Sequence, residues 1–380
     1  MTEQTATDAD LAAAARHAHA VIAAHQHPGG AYPASPTFSA YRGYAWLRDG
    51  SFVAEGMSRS GDVASVDRFH DWVARVVLAR ADRVAGIVAD VAAGREVAVG
   101  RMLPTRFTLE GEDGSDPWWD FQTDGYGLWL WQLVEHAERH GRPLERWRDA
   151  AVVVTDYLLA VGDRPCYDWW EEHAEHRHVS TLAAVRAGLL AAAGAGLLDS
   201  DRSTRAAVAA AHLQDLALGS LTRGRATDPS APHLAKWIGA GTVDASLAAC
   251  VVPFGLLPVD SPVASATLDA VARDLDVDGG VHRFAADVFY GGGQWPLLSC
   301  LLGWNLLAAG DRDGAVAHLR WALATATPDG DLPEQVPDHL LHPEHRAEWL
   351  ERWGPVATPL LWSHGMVLVL VDALQDGSRD

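Results

Sequence analysis

The stretch Asp124–Gly162, DGYGLWLWQLVEHAERHGRPLERWRDAAVVVTDYLLAVG, decides the fold. Its apolar residues recur at helical spacing and predict helices over 124–141 and 143–162. They meet at Gly141-Arg142-Pro143. Glycine suits the position just past a helix end, and proline suits the first turn of the next helix, where its missing N–H costs nothing. Two helices joined this tightly must run antiparallel. A long connection rich in aromatic and charged residues then leads to the next helical pattern, at 178–195.

The same rhythm runs through the chain. Helices are predicted at 8–26, 49–61, 63–93, 124–141, 143–162, 178–195, 200–219, 243–255, 261–275, 296–310, 312–326 and 359–376. Connections after the even-numbered helices are tight and those after the odd-numbered ones are long. Six hairpins arranged in a ring would gather every long loop at one end. The expectation is an all-α (α/α)6 barrel of twelve helices, one catalytic domain over 1–380, with its active site in those loops. An all-α solenoid is the structural rival, but the hairpins share no consensus.

Composition narrows the function. A formal net charge of -20 disfavours nucleic acid and anionic membranes as partners, since both demand basic patches. Met1–Asp10 lacks the basic start and apolar run of a signal peptide, and apolar stretches such as Leu189–Leu198 are too short to span a bilayer. The three cysteines are far apart and odd in number, which argues against a disulfide framework. These features predict a cytoplasmic protein. Lys236 is the only lysine, which fits genomic base composition better than a physical cause.

Each long loop carries polar residues among aromatics. The first ends in Tyr44-Ala45-Trp46-Leu47-Arg48-Asp49, where Asp49 reads either as a helix cap or, with Arg48, as a clamp on sugar hydroxyls beside Trp46. The second holds Trp118-Trp119-Asp120-Phe121-Gln122-Thr123-Asp124; Trp119 and Asp124 suit a polar-ligand site, and Asp124 also suits a cap. The third holds Tyr167-Asp168-Trp169-Trp170-Glu171-Glu172-His173. Two adjacent carboxyls behind two indoles are pushed toward the neutral form, as a proton donor requires. Flat indole faces also suit the apolar face of a sugar ring. The fourth carries Lys236-Trp237, a substrate contact or a solvated loop charge. The fifth carries Arg283 and Phe289-Tyr290, followed by Gly291-Gly292-Gly293-Gln294-Trp295, without the strand and spacing of a phosphate-binding loop. The sixth carries Pro333-Glu334-Gln335-Val336, whose Glu334 is the best second catalytic carboxylate. The histidines at 173, 176 and 178 match no established ligand spacing, so neither metal nor cofactor is expected.

These residues resemble glycoside hydrolase family 15, the glucoamylase family. Trp46-Leu47-Arg48-Asp49 is similar to its Trp-x-Arg-Asp motif, which implies that Arg48 and Asp49 hold the terminal glucose. Asp168-Trp169-Trp170-Glu171-Glu172 is similar to its Asp-Leu-Trp-Glu-Glu motif, which implies Glu171 as general acid and Glu172 as a sugar contact. Pro333–Val336 matches the bacterial Pro-Glu-Gln-Val motif, which implies Glu334 as general base. Arg283, Phe289, Tyr290 and Trp295 fit the fifth-loop pattern, and Trp362-Ser363-His364 fits the last helix. Trp169 replaces the usual leucine and Pro337 an aromatic, both where the leaving sugar is expected. A bare barrel with no further domain resembles the isomaltose glucohydrolase type within the family.

The resemblance implies an inverting exo-acting α-glucosidase that releases β-glucose from short α-glucosides, first of all α-1,6-linked isomaltose. Inverting carboxyl pairs stand roughly 6.5–9.5 Å apart, leaving room for a water. An α-1,4 glucoamylase and a trehalase stay open. So does a sugar epimerase or isomerase on a similar barrel, which would use histidines such as His176, His178 and His364. The expected partner is a small oligosaccharide; oligomeric state, chain-length preference and pathway are not legible.

Overall fold

Every second connection in the chain is short, and most of the short ones end in a side chain that caps the helix that follows. The computed structural model describes residues 8–118, 121–222 and 232–376. In chain order its elements are α1 (Asp8–His25), β1 (Tyr44–Trp46), α2 (Leu47–Arg59), α3 (Val63–Leu78), α4 (Ala81–Ala92), β2 (Arg106–Thr108), α5 (Asp124–His140), α6 (Arg148–Val161), α7 (Val179–Gly194) and α8 (Ser200–Leu218). They continue as a 3-10 segment (Ala245–Cys250), α9 (Pro262–Leu275), β3 (Asp276–Val277), β4 (Gly280–Val281), α10 (Pro296–Ala308), α11 (Arg312–Ala324), α12 (Arg346–Trp353) and α13 (Leu361–Asp376). Asp62, Asp199, Ser261 and Asp311 accept the backbone N–H of Ser65, Arg202, Ala264 and Gly314. Such caps satisfy N–H groups that have no partner within the helix.

Two rings result. The inner ring closes as α2, α5, α7, the 3-10 segment, α10, α13 and back to α2, each packed on the next. Its members are buried almost all round: α2 is buried from Leu47 to Ser58 and α13 from Leu361 to Val371. The outer helices bury one stripe. In α8 it is Ala206, Ala210, Leu213 and Ala217, at helical spacing on one face. The long connections therefore all reach the N-terminal ends of the inner helices. This is the (α/α)6 barrel.

The details depart from expectation in three places. The helix expected over 63–93 breaks after Leu78 into α3 and α4. The element expected over 243–255 shrinks to the 3-10 segment, because Pro253 cannot donate a backbone hydrogen bond and its ring would collide with a carbonyl one turn back. The sixth long loop folds a helix of its own, α12, so the described residues hold thirteen α-helices rather than twelve. Two small antiparallel ribbons also form, and β1–β2 pairs Tyr44 with Thr108, Ala45 with Phe107 and Trp46 with Arg106. That ribbon ties the first long loop to the second just ahead of α2. No helix among the described residues is long and apolar enough to cross a membrane.

Inner helices α5 and α7 meet backbone to backbone at Gly127 and Gly188, where a Cβ on either would overlap the other helix's carbonyl. Gly188→Ala should cost about 1–3 kcal/mol in urea unfolding, the range for overpacked cores. Gly194→Ala, at the open end of α7 with no atom within 4 Å of the added methyl, should be neutral. Equal stability of the two variants would contradict this close contact.

Candidate active site

Five of the six long loops, all but the fourth, line a cavity of about 260 Å³ at the N-terminal ends of the inner helices. It is small for a ligand site, where about 300 Å³ upward is usual. Trp46, Arg48, Asp49, Trp169, Trp170, Glu171, Glu172, Arg283, Trp295 and Glu334 line it, drawn from loops far apart in sequence.

The first turn of α2 supplies Arg48 and Asp49. Arg48 is buried; its Nη1 donates to Gln122 Oε1 (2.6 Å) and Asp124 Oδ2 (3.2 Å), and its Nη2 to Glu171 Oε1 (3.0 Å). Gln122 Nε2 also donates to Glu171 Oε1 (3.0 Å). Neither aspartate serves as a helix cap. The residue preceding α2 is Trp46 and that preceding α5 is Thr123, and neither makes a side-chain cap bond. Asp49 faces the cavity, where burial pushes its carboxyl up to about 7 against the pull of Arg48.

Loop three presents Glu171 in a left-handed conformation, φ 58°, which is uncommon outside glycine. Asp168 holds that turn. Its Oδ1 accepts the backbone N–H of Trp170 (2.9 Å) and of Glu172 (2.8 Å). Its Oδ2 stands 3.0 Å from Lys236 Nζ, which also donates to Asp244 Oδ2 at 2.7 Å. Burial alone would raise the Asp168 carboxyl, but Lys236, aided by His178 and the backbone N–H of Glu172, holds it below the ordinary carboxylate range. Glu172 receives Arg283 Nη2 at 3.2 Å, and Arg283 is itself anchored on Asp287. Burial raises the Glu172 carboxyl despite that contact.

Glu334 lies on a loop segment pinned at every residue. Leu332 N–H donates to His364 Nε2 (3.0 Å), Pro333 O accepts Ser363 Oγ (2.9 Å), and Glu334 N–H donates to Ala357 O (2.8 Å). Gln335 Oε1 accepts Gly293 N–H (2.9 Å), and Val336 pairs with Gln294. The Pro-Glu-Gln-Val run and the triple-glycine loop are thus two sides of one contact. The Glu334 side chain is buried, with Oε1 accepting the Tyr41 hydroxyl at 3.1 Å and Oε2 unpartnered within the protein. Burial, with Asp49 and Glu171 nearby, lifts its carboxyl to about 8, against the lowering pull of Tyr41 and Arg283.

Aromatics form the walls. Trp169 packs among Phe52, Phe254, Trp170 and Trp362 at the buried inner end. Trp118, Trp349 and Trp353 are partly exposed and stand at the mouth. The indole N–H groups of Trp46, Trp169, Trp295 and Trp362 are buried without a protein acceptor. Buried donors of this kind want a partner, and a hydroxyl-rich ligand supplies several.

Several expected residues lie elsewhere. Lys236 is buried beneath the cavity in its ion cluster and is no solvated loop charge. Trp237 stacks on His176, ring centroids 4.2 Å apart, outside the lining. Asp124 stands behind Arg48. Tyr290 turns away, its hydroxyl donating to Gly354 O at 2.8 Å, and leaves Phe289 on the wall. Trp119 falls outside the described residues. Trp169 is buried and lines the cavity, and Pro337 is exposed and off the lining. Tyr41 also lines the cavity, a residue the sequence reading does not single out; it shares the first long loop with Arg48, and that company is the signal for it. Among the described residues no histidine lines the cavity. His364 is consumed as an acceptor, its pKa pressed down to about 3 by burial.

Known proteins with this arrangement are glycosidases. An isomaltose glucohydrolase from Kribbella flavida is 64% identical over 95% of this chain and 92% of its own. A solved wild-type glycosidase is 62% identical, with a TM-score of 0.92 over 97% of this chain and 98% of that one. A glycosidase variant solved in complex with glucose gives the same figures. A bacterial glucoamylase complexed with acarbose, 21% identical, shares the fold with a TM-score of 0.74 over 95% of this chain and 55% of that one. Residues 9–350 match the profile of glycosyl hydrolases family 15, and the chain belongs to that family.

Proposed function

We propose that this glycoside hydrolase is an inverting exo-acting α-glucosidase that takes one glucose at a time from short α-1,6-glucosides, isomaltose first. One observation carries the reading. Two carboxyls from separate loops, Glu171 and Glu334, line one narrow aromatic cavity. The 64% identity to an isomaltose glucohydrolase and the small cavity favour a short substrate.

In this mechanism Glu171 protonates the glycosidic oxygen. Glu334 takes a proton from a water that attacks the anomeric carbon on the opposite face. Arg48, Asp49, Glu172 and Arg283 hold the hydroxyls of the terminal glucose, and Trp46, Trp169, Trp170 and Trp295 enclose it. The raised carboxyls of Asp49 and Glu334 mean that the cluster carries protons near neutrality. Such protons belong to the interacting set, not to one residue. Catalysis needs one of them on Glu171 and none on Glu334, and the Tyr41 hydroxyl favours the ionised Glu334. The absence of histidines from the lining weighs against an epimerase. The reading keeps the chain as one catalytic domain in the cytoplasm, with no cofactor.

Glu171→Gln should lower kcat on isomaltose by about 10²–10⁴-fold while calorimetry still shows glucose binding; full turnover would remove Glu171 from the acid role. Proton NMR during turnover should show β-glucose before α-glucose, and the reverse order would sink inversion. Rates on isomaltose should exceed those on maltose and trehalose. If maltose is faster, the linkage assignment is wrong.

The hydroxyl of Tyr41 lowers the Glu334 pKa, so Tyr41→Phe raises it further. The base is active when ionised, so activity rises as pH rises through that pKa. The acidic limb of kcat/KM should therefore move to higher pH in Tyr41→Phe. At pH 7 the loss should be about 10–100-fold, the worth of a hydrogen bond to a charged group. An unmoved limb would break the link between Tyr41 and Glu334.

A further inference from the structure

The chain's only lysine is buried beside the proton-donor loop without touching the cavity. A buried ammonium is costly unless paired, and this one is paired twice. Its Nζ stands 3.0 Å from Asp168 Oδ2 and 2.7 Å from Asp244 Oδ2, and 3.4 Å from the centre of the Phe284 ring. Both carboxylates then act on loop three. Asp168 Oδ1 accepts the backbone N–H groups on either side of Glu171, those of Trp170 and Glu172. Asp244 Oδ2 accepts the Trp170 indole N–H at 2.9 Å, and Asp244 Oδ1 accepts the backbone N–H of Ser246 at 2.9 Å. The lysine is thus the common counter-ion of the two groups that hold Glu171 in its left-handed turn.

From this geometry we propose that Lys236 is a positioning residue for general-acid catalysis, fixing Glu171 through Asp168 and Asp244. Without its charge two buried carboxylates face each other unneutralised. Repulsion or protonation then loosens the Asp168 turn, and the Glu171 carboxyl drifts from the glycosidic oxygen. A misplacement of about 1 Å can cost about 10²-fold in rate. Arg48 keeps its bonds to Gln122 and Asp124, Glu172 keeps its contact with Arg283, and the segment bearing Glu334 is attached elsewhere, so binding and the base are spared. The inference rests on the assignment of Glu171 as general acid given above.

The test uses leaving groups. Isomaltose needs its leaving oxygen protonated, whereas α-glucosyl fluoride releases fluoride with little help from an acid. Lys236→Met should lower kcat on isomaltose about 100-fold, change KM by less than about threefold, and lower kcat on α-glucosyl fluoride less than about fivefold. Equal losses on the two substrates, or no loss on isomaltose, would overturn the proposal. Should Lys236→Met not fold, Asp244→Asn is read by the same criteria, since it weakens the same tether from its far end. Glu171→Ala separates the two readings. If it loses both substrates equally, the acid assignment fails. If it spares the fluoride and the Lys236 variant does not, only the role of Lys236 fails.

Discussion

The site depends on an excess of carboxyl groups over cations at the inner end of the loops. Asp49, Asp124, Asp168, Glu171, Glu172, Asp244, Asp287 and Glu334 are all drawn into or around one cavity, and Arg48, Lys236 and Arg283 are the cations paired with them. Each cation comes from a different loop, and each reaches the donor loop: Arg48 at Glu171, Lys236 at Asp168 and Arg283 at Glu172. Burial, reinforced by the neighbouring carboxyls, raises Asp49 and Glu334 and so keeps protons in the cluster near neutrality. A site that must donate one proton, accept another and tolerate positive charge on a sugar ring gains from such a cluster.

Rigidity around that cluster has a backbone origin. Close glycine contacts let the inner helices approach, and capped tight turns hold the outer ones against them. The long loops are then tied to one another by short backbone pairings: β1 with β2, His178 with Trp237, and Gln294 with Val336. Loop residues normally pay in mobility for their freedom of shape; here the cross-links remove most of it. Glu334 shows this most clearly, since its segment is bonded to α13, to the glycine loop and to Ala357 within five residues.

Aromatic residues divide by depth. The buried set around Trp169 closes the inner end, while the partly exposed Trp118, Trp349 and Trp353 border the entrance. Trp349 and Trp353 arrive on α12, a short helix fixed by the Trp349 indole donating to Val288 O at 2.9 Å. The large indole at position 169 therefore closes the inner end of the cavity.

The fold was legible because it rests on local physics. Helical periodicity, glycine and proline at the tight turns and the alternation of connection lengths are all local signals, and they suffice for a two-ring barrel. The failures were also local in appearance: Pro253 was outweighed by its apolar neighbours, and α12 was hidden in a loop. The two carboxyls were visible as short motifs because their chemistry confines them to particular neighbours. Tertiary structure decided what those motifs do not encode. It turned Tyr290 away and left Phe289 on the wall. It brought Tyr41 to Glu334 across nearly the whole chain, and it buried Lys236 between two aspartates. Each outcome depends on which loop packs against which, and a side chain's partner across such a distance leaves no periodic or compositional trace.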